Sequence, residues 1–171
     1  GAGLRSLKIG EEAVIDLTTW DLTDHRHKHL RQALRRVERA GAEVVELPAP
    51  LDDENLAELR AVSDAWLHNA GHRERTFTLG RFDPEALRPT PILALRETAA
   101  PHRILAFVNV LPSYQGTDGN FDLMRRRPDA PNGAMDALFV ALVDRFRAEG
   151  LTGMSLGLAP LSGLDGTGLK R

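Results

Sequence analysis

An aspartate and three arginines lie together in the segment FDLMRRR, just before a loop with two prolines and a glycine. Asp122 could move a proton or bind an ammonium group, and Arg125 could donate hydrogen bonds to an oxyanion or a phosphate. On a regular strand, residues three apart point to opposite faces. The two can therefore share a site only if a β-bulge or the strand end re-aims one of them. From spacing alone, an exposed ion pair without a function is the simpler interpretation.

The loop after this strand resembles an anion site. Arg126 and Arg127 supply cationic donors, and Asn132, followed by Gly133, is predicted to cap a helix that continues as MDALFVAL. A helix N-terminus has unpaired N–H groups and a partial positive charge, so a phosphate could bind here. A solvated strand end is the alternative. Asp136 is a further candidate, although a carboxylate in a first helical turn is favourable without any function.

A row of basic side chains follows one face of the first predicted helix, separate from its leucines. Its members are Lys28, Arg31, Arg35, Arg36 and Arg39. Such a row could contact nucleic-acid phosphates, which bring affinity without sequence readout. Anionic lipid headgroups or plain solvent are the alternatives.

Other candidate features carry less chemistry. In HRHKH only His25 and His29 share a helix face, and no nearby acid completes a ligand set, so we expect no metal. Tyr114, after LPS at a strand end, could line a pocket or pack in the core. No G-x-S-x-G elbow surrounds Ser155 or Ser162, so both serines are expected to shape the backbone.

Composition limits the class of protein. The 171 residues suffice for one domain with a real core, and a formal net charge of −2 excludes a polycation. The absence of cysteine excludes disulfides and thiolate metal sites. No apolar run reaches the ~20 residues of a membrane span.

The predicted elements run helix, strand, helix, three strands, helix, strand, after an opening strand. The first helix is predicted to begin at Thr23 and end at Gly41, the second to be capped near Asp52, and the third to end at Gly150. A loop is predicted over FTLGRFDPEAL. The second helix has an inward face of Leu56, Leu59, Val62, Ser63, Trp66 and Leu67. Helices on a largely antiparallel sheet predict an α+β fold.

These residues closely resemble a known family. DLMRRRPDAPNGAMDALFVAL followed by SLGLAPLS is similar to the C-terminal catalytic domain of the aminoacyl-phosphatidylglycerol synthases, the phosphatidylglycerol lysyltransferase or multiple-peptide-resistance family. Supporting matches are HLRQALRRVERAG, WL, FTLGRFD and LPSY. The resemblance extends from about Ile9 to Ser162 and implies a GNAT-type acyltransferase-like fold, a mostly antiparallel sheet flanked by helices.

The resemblance also implies a reaction and a place for it. A lysyl or alanyl group would move from aminoacyl-tRNA to a hydroxyl of phosphatidylglycerol, without a cofactor, at the cytoplasmic face of a bacterial membrane. Residues 1–20 would be the end of a preceding acyltransferase-like half or a linker. Residues 21–171 would be a GNAT-like catalytic domain truncated at its C-terminal end, itself soluble and part of a larger membrane protein.

The resemblance assigns roles to the candidate residues. Asp122 and Arg125 occupy the functional D-x-x-R, with Asp122 as base or as ammonium anchor. The residues expected to bind a lipid or tRNA phosphate are Arg126, Arg127, Asn132, Gly133, Asp136 and Tyr114. The basic row is expected to bind the tRNA acceptor arm.

Two other functions stay open at this stage. One is an acyl-CoA-dependent GNAT-type acyltransferase, although RRRPDAPNG has one glycine and two prolines where a pyrophosphate loop usually has several glycines. The other is a non-catalytic module that binds tRNA or anionic lipid. Substitution of Asp122 separates an enzyme from a module, because binding would survive in the module.

Overall fold

The computed structural model of the protein describes residues 10–70, 80–112 and 116–160. In this part of the chain, six strands form one sheet and helices cover both of its faces. The strands are β1 (Gly10–Asp16), β2 (Ala42–Leu47), β3 (Ile92–Glu97), β4 (Ile104–Leu111), β5 (Asp118–Arg126) and β6 (Gly153–Pro160). The helices are α1 (Lys28–Arg39), α2 (Asp53–Ala70), α3 (Pro84–Leu87) and α4 (Ala134–Ala148).

The strand order in the sheet is β1-β6-β5-β4-β3-β2. All neighbouring strands are antiparallel except β5 and β6, which pair in parallel at Asp118–Gly153 and Gly119–Met154. Helix α4 connects these two strands, as a parallel pair requires a crossover. The predicted α+β fold with a mostly antiparallel sheet is confirmed.

Two cores lie on opposite faces of the sheet. Helices α1 and α4 cover one face, with Phe146 among its fully buried side chains, and α2 and α3 cover the other face around Phe107. Leu93 and Leu95 of β3 point to the first core, whereas Ile92 and Ala94 point to the second. This alternation explains why β3 and β4 are nearly continuous apolar runs.

The start of α1 differs from the prediction. Asp24, not Thr23, is the cap, because its side chain accepts a hydrogen bond from the Arg26 N–H at 2.8 Å and begins a 3-10 turn over His25–His27 that leads into α1. The predicted end is confirmed, since Gly41 follows α1 with φ +70°.

Of the other predicted helix starts, one is confirmed and one is wrong. The cap of α2 is confirmed, because Asp52 Oδ1 accepts from the Asn55 N–H at 2.7 Å. The predicted cap Asn132 is wrong: Gly133 is the N-cap of α4, with φ +104° and no side-chain cap hydrogen bond. The chain turns there in a left-handed conformation that favours glycine. Part of the predicted loop over FTLGRFDPEAL is the short helix α3, capped by Asp83.

Strand β1 is an edge strand of the same sheet, paired with β6 from Gly10–Pro160 to Asp16–Gly153. The origin of residues 1–20 in a preceding half or a linker stays a prediction. In the described ranges, no helix is long and apolar enough to cross a membrane.

Candidate functional site

A β-bulge in β5 shapes the candidate site. Asp122 and Leu123 lie together opposite one residue of β4, Asn109. Asn109 is buried, and its side-chain oxygen accepts hydrogen bonds from the backbone N–H groups of Asp122 at 3.2 Å and Leu123 at 2.6 Å. The amide thus pairs the groups that a bulge removes from the regular ladder. With a spacing of three residues, Asp122 and Arg125 can point to the same face of the sheet only if such a bulge lies between them or the strand ends there.

The bulge places Asp122 and Arg125 on the α2 side of the sheet. Leu123 belongs to the core under α2, and Arg125 is the cross-strand partner of Phe107 in that core. The Asp122 carboxylate accepts a hydrogen bond from the backbone N–H of Gly80 and interacts with the positive charge of Arg125. The structure therefore brings the two predicted residues together.

Arg125 is buried, with 3% of its surface exposed. Its Nη1 donates to Ser63 Oγ on α2, and its Nη2 donates to the carbonyl oxygen of Gly80. Its guanidinium carbon lies 5.1 Å from the centre of the Trp66 ring, within the range of a cation–π contact. Arg125 thus joins β5, α2 and the segment at Gly80 through one desolvated cation.

Asp122 is only partly buried, so its carboxyl keeps contact with solvent. Burial raises the pKa of Asp122 above its usual value, while the Gly80 N–H and the Arg125 charge act in the opposite direction. A carboxyl with a raised pKa beside a fixed cation is a common arrangement at functional sites. Asp122 is therefore the group of this pair that a substrate could reach.

A cavity of about 420 Å³ lies at the start of α4. It is lined by Arg126, Ala130, Pro131, Asn132, Gly133, Ala134, Met135 and Asp136. Arg126 is exposed, and Arg36 of α1 donates from Nε to the Asn132 carbonyl at 3.3 Å. Four of the six predicted anion-site residues therefore meet here, namely Arg126, Asn132, Gly133 and Asp136. The basic row of α1 reaches them through Arg36.

Arg127 does not join this cavity. Its Nε donates to the Ile104 carbonyl at 2.8 Å, and its Nη2 lies 3.6 Å from Glu58 Oε2 on α2. Arg126 follows Arg125 on β5 and points to the opposite side of the sheet. The cluster that looks like one site in the sequence is therefore divided between the two faces.

The basic row of α1 is exposed at four of its five positions. Lys28, Arg35, Arg36 and Arg39 face solvent. Arg31 instead donates from Nη1 to the carbonyls of Leu22 at 2.5 Å and Asp24 at 2.7 Å, and so stabilises the turn before α1. Tyr114 lies outside the described residues.

Sequence reasoning missed three residues that build the site. The sequence places Ser63 on the inward face of α2 but predicts no partner for it, and it predicts no role for Gly80 or Asn109. Asn109 had a visible signal, because it is a polar residue in the middle of the apolar run ILAFVNVL. Within the described ranges, no group of three His, Asp or Glu side chains could hold a metal ion.

The fold defines the class of this protein. It resembles a GCN5-related glucosamine N-acetyltransferase region of a fungal multidomain β-N-acetylglucosaminidase, with a TM-score of 0.56 and 10% identity over 93% of this chain and 19% of that one. At this identity the likeness shows the fold alone. The chain has a GNAT-like α+β fold.

The sequence profile of the family described as phosphatidylglycerol lysyltransferase, C-terminal, matches residues 1–171, and the chain belongs to this family. It is 41% identical to the phosphatidylglycerol lysyltransferase of Bacillus subtilis (strain 168) over 94% of this chain and 18% of that protein. The chain thus spans less than a fifth of that relative.

Two solved structures agree with this assignment. The L-PGS of Bacillus licheniformis has a TM-score of 0.81 and 38% identity, over 96% of this chain and 49% of that one. The C-terminal domain of a protein assigned as a lysylphosphatidylglycerol synthetase from Agrobacterium fabrum has a TM-score of 0.79 and 37% identity, over 94% and 50%. The chain therefore spans about half of these solved chains.

Proposed function

We propose that the chain is part of the catalytic region of an enzyme that transfers a lysyl group from lysyl-tRNA to a hydroxyl of phosphatidylglycerol. The observation that carries this proposal is the family match over residues 1–171. The name of the Bacillus subtilis relative supports lysine over alanine as the transferred amino acid. No cofactor is needed, because the ester of the aminoacyl-tRNA is already activated. The reaction would take place at the cytoplasmic face of the membrane, within a larger protein.

The reaction is a transesterification. A glycerol hydroxyl of the lipid attacks the ester carbonyl of lysyl-tRNA, an oxyanion forms, and the ribose oxygen leaves with the proton that the lipid hydroxyl loses. Asp122 is the proposed carrier of that proton, or the anchor of the α-ammonium group. Its partial burial and raised pKa favour proton transfer at near-neutral pH over a fully exposed carboxylate.

The other proposed roles follow from exposure. The buried Arg125 acts beside Asp122 by its charge and by its hydrogen bonds to Ser63 and Gly80. The exposed Arg126, with Asn132, Gly133 and Asp136 around the cavity, is proposed to receive a phosphate of the lipid or of tRNA. Tyr114 and Arg127 stay candidates from the resemblance, the latter with its guanidinium directed to α2.

The exposed part of the basic row is proposed to bind the acceptor arm of tRNA. Lys28, Arg35, Arg36 and Arg39 present four cations on one helix, and Arg36 lies beside the cavity that contains Arg126. Such an array neutralises successive phosphates without reading bases. This matches a partner in which the aminoacylated end, not the sequence, is recognised.

The test is a transfer assay with a matched control. Lysyl-tRNA labelled in lysine is mixed with phosphatidylglycerol vesicles and either the chain or a form extended to the span of the solved relatives, and label in the lipid fraction is measured. Asp122→Asn is expected to abolish transfer. Asp144→Asn is the control, because burial also raises the pKa of Asp144, which lies on α4 away from Asp122.

Three outcomes decide between the functions. Transfer that is lost in Asp122→Asn and kept in Asp144→Asn supports the proposal. Binding of tRNA or lipid without transfer by either form of the protein would instead indicate a non-catalytic binding module. Transfer by Asp122→Asn at the rate of the parent protein would refute the role of Asp122.

A further inference from the structure

Gly80 is held from both sides at the candidate site. Its N–H donates to the Asp122 carboxylate, and its carbonyl oxygen accepts from Arg125 Nη2. Its φ of +105° is a conformation that favours glycine. Because glycine has little conformational preference of its own, these two contacts are needed to keep its N–H directed at Asp122.

Arg125 is in turn fixed by α2. Its Nη1 donates to Ser63 Oγ, and Ser63 has no exposed surface. The helix is packed against the sheet at this point, since the neighbouring Leu59 and Val62 are also fully buried in the core under α2. A buried hydroxyl that accepts a hydrogen bond from a desolvated cation is a strong, directional contact.

We propose that Ser63 is a positioning residue for Asp122 and acts through Arg125 and the backbone of Gly80. The connection runs from Ser63 Oγ to Arg125 Nη1, from Arg125 Nη2 to the Gly80 carbonyl, and from the Gly80 N–H to the carboxylate. This inference rests on the proposed function only for the role of Asp122 in transfer. The connection itself is a property of the fold.

The connection has a measurable electrostatic consequence. Among the described residues, Arg125 is the charged group that acts on Asp122, and the Gly80 N–H is its backbone donor. Both favour the ionised carboxylate, while burial opposes it. Loss of the Ser63 hydroxyl would remove one of the hydrogen bonds that hold Arg125 and weaken the Gly80 contact, so the pKa of Asp122 would rise further.

The test measures this titration directly. In protein labelled with ¹³C at aspartate carboxyl carbons, the Asp122 signal is assigned from its absence in Asp122→Asn and followed against pH. Ser63→Ala is expected to move the Asp122 titration to higher pH. Ser155→Ala is the matched control, because Ser155 is also buried but its hydroxyl bonds to Glu12 and Gly157 on the β1–β6 side of the sheet.

The outcomes are separable from those of the transfer assay. An Asp122 titration in folded Ser63→Ala that matches the parent protein and Ser155→Ala would overturn the inference. If Ser63→Ala does not fold, Ser63→Cys, which keeps a group at the position of the hydroxyl but is a weaker acceptor, decides in the same way. A shifted titration, with no transfer by either the chain or the extended form, would keep the positioning role and refute the proposed function. With activity, the acidic limb of the pH–rate profile should shift in the same direction.

Discussion

Replacement of Gly133 by alanine should separate α1 from α4. An ideal Cβ at Gly133 would lie 2.9 Å from Ala33 Cβ and 3.0 Å from the Cα and carbonyl oxygen of Ala33. Two of these neighbours are backbone atoms of a helix, which cannot rotate away. The helix α1 would therefore have to move, and the contact between Arg36 and the Asn132 carbonyl would be lost with it.

The expected loss of stability is the sum of two costs. A non-glycine residue at φ +104° costs about 1–2 kcal/mol. Insertion of a methyl group into a tightly packed contact costs about 1–3 kcal/mol. Gly133→Ala should therefore lower the free energy of unfolding by about 2–5 kcal/mol in total.

Gly150→Ala is the matched control for the first cost. Gly150 has φ +78°, and nothing lies within 4 Å of its ideal Cβ, so only the backbone cost of about 1–2 kcal/mol applies. Equilibrium unfolding in urea gives both values from the same protein. Equal losses in the two variants would refute the tight approach of α1 to Gly133.

The remaining predictions concern charge. Because the pKa of Asp122 is raised in the folded state, the folded protein loses stability as the pH rises from the unfolded pKa near 3.8 through the folded pKa. In thermal melts, Asp122→Asn should therefore be more stable than the parent protein at pH 7 and equal to it near pH 3. The hydrogen bond from Arg103 lowers the pKa of Asp129, so Asp129→Asn should instead lose up to about 1 kcal/mol of unfolding free energy at pH 7 and nothing at low pH. A stability change of the same sign in Asp122→Asn and Asp129→Asn at pH 7 would contradict this reasoning. Arg36→Ala and Arg126→Ala should each weaken tRNA binding and reduce the slope of log affinity against log salt by about 1, measured by filter binding. Arg88→Ala, whose guanidinium contacts Asp53 at the start of α2, should leave the affinity and the slope unchanged.

Much of the fold could be predicted from short stretches of the sequence. The apolar spacing of α1 and its stop at Gly41, the cap at Asp52 and the apolar runs of β3 and β4 each depend on neighbours along the chain, and they were predicted correctly. The cap of α4 was not: Gly133, with φ +104°, is the N-cap in place of Asn132, and a side chain at Gly133 would meet Ala33 of α1, which is distant in sequence.

The candidate site, too, could be predicted from the sequence only in part. Its residue types, Asp122 and Arg125, were identified from the motif, but the partners of Arg125 were not. Ser63 lies 62 residues from Arg125, and Gly80 lies 45 residues from it. Contacts of this kind leave no periodic pattern in the sequence, because each depends on how a helix and a loop pack over a strand.

The sequence by itself determined the α+β class, the helix stops at Gly41 and Gly150, and the motif that marks Asp122 and Arg125, because all of these are properties of residue type and short spacing. The tertiary structure decided that the motif forms a pair and that Arg126 leaves it for the opposite face of the sheet. The physical reason is the bulge opposite Asn109: a shift of register by one residue changes which side chains share a face, and only the pairing of β4 with β5 sets that register.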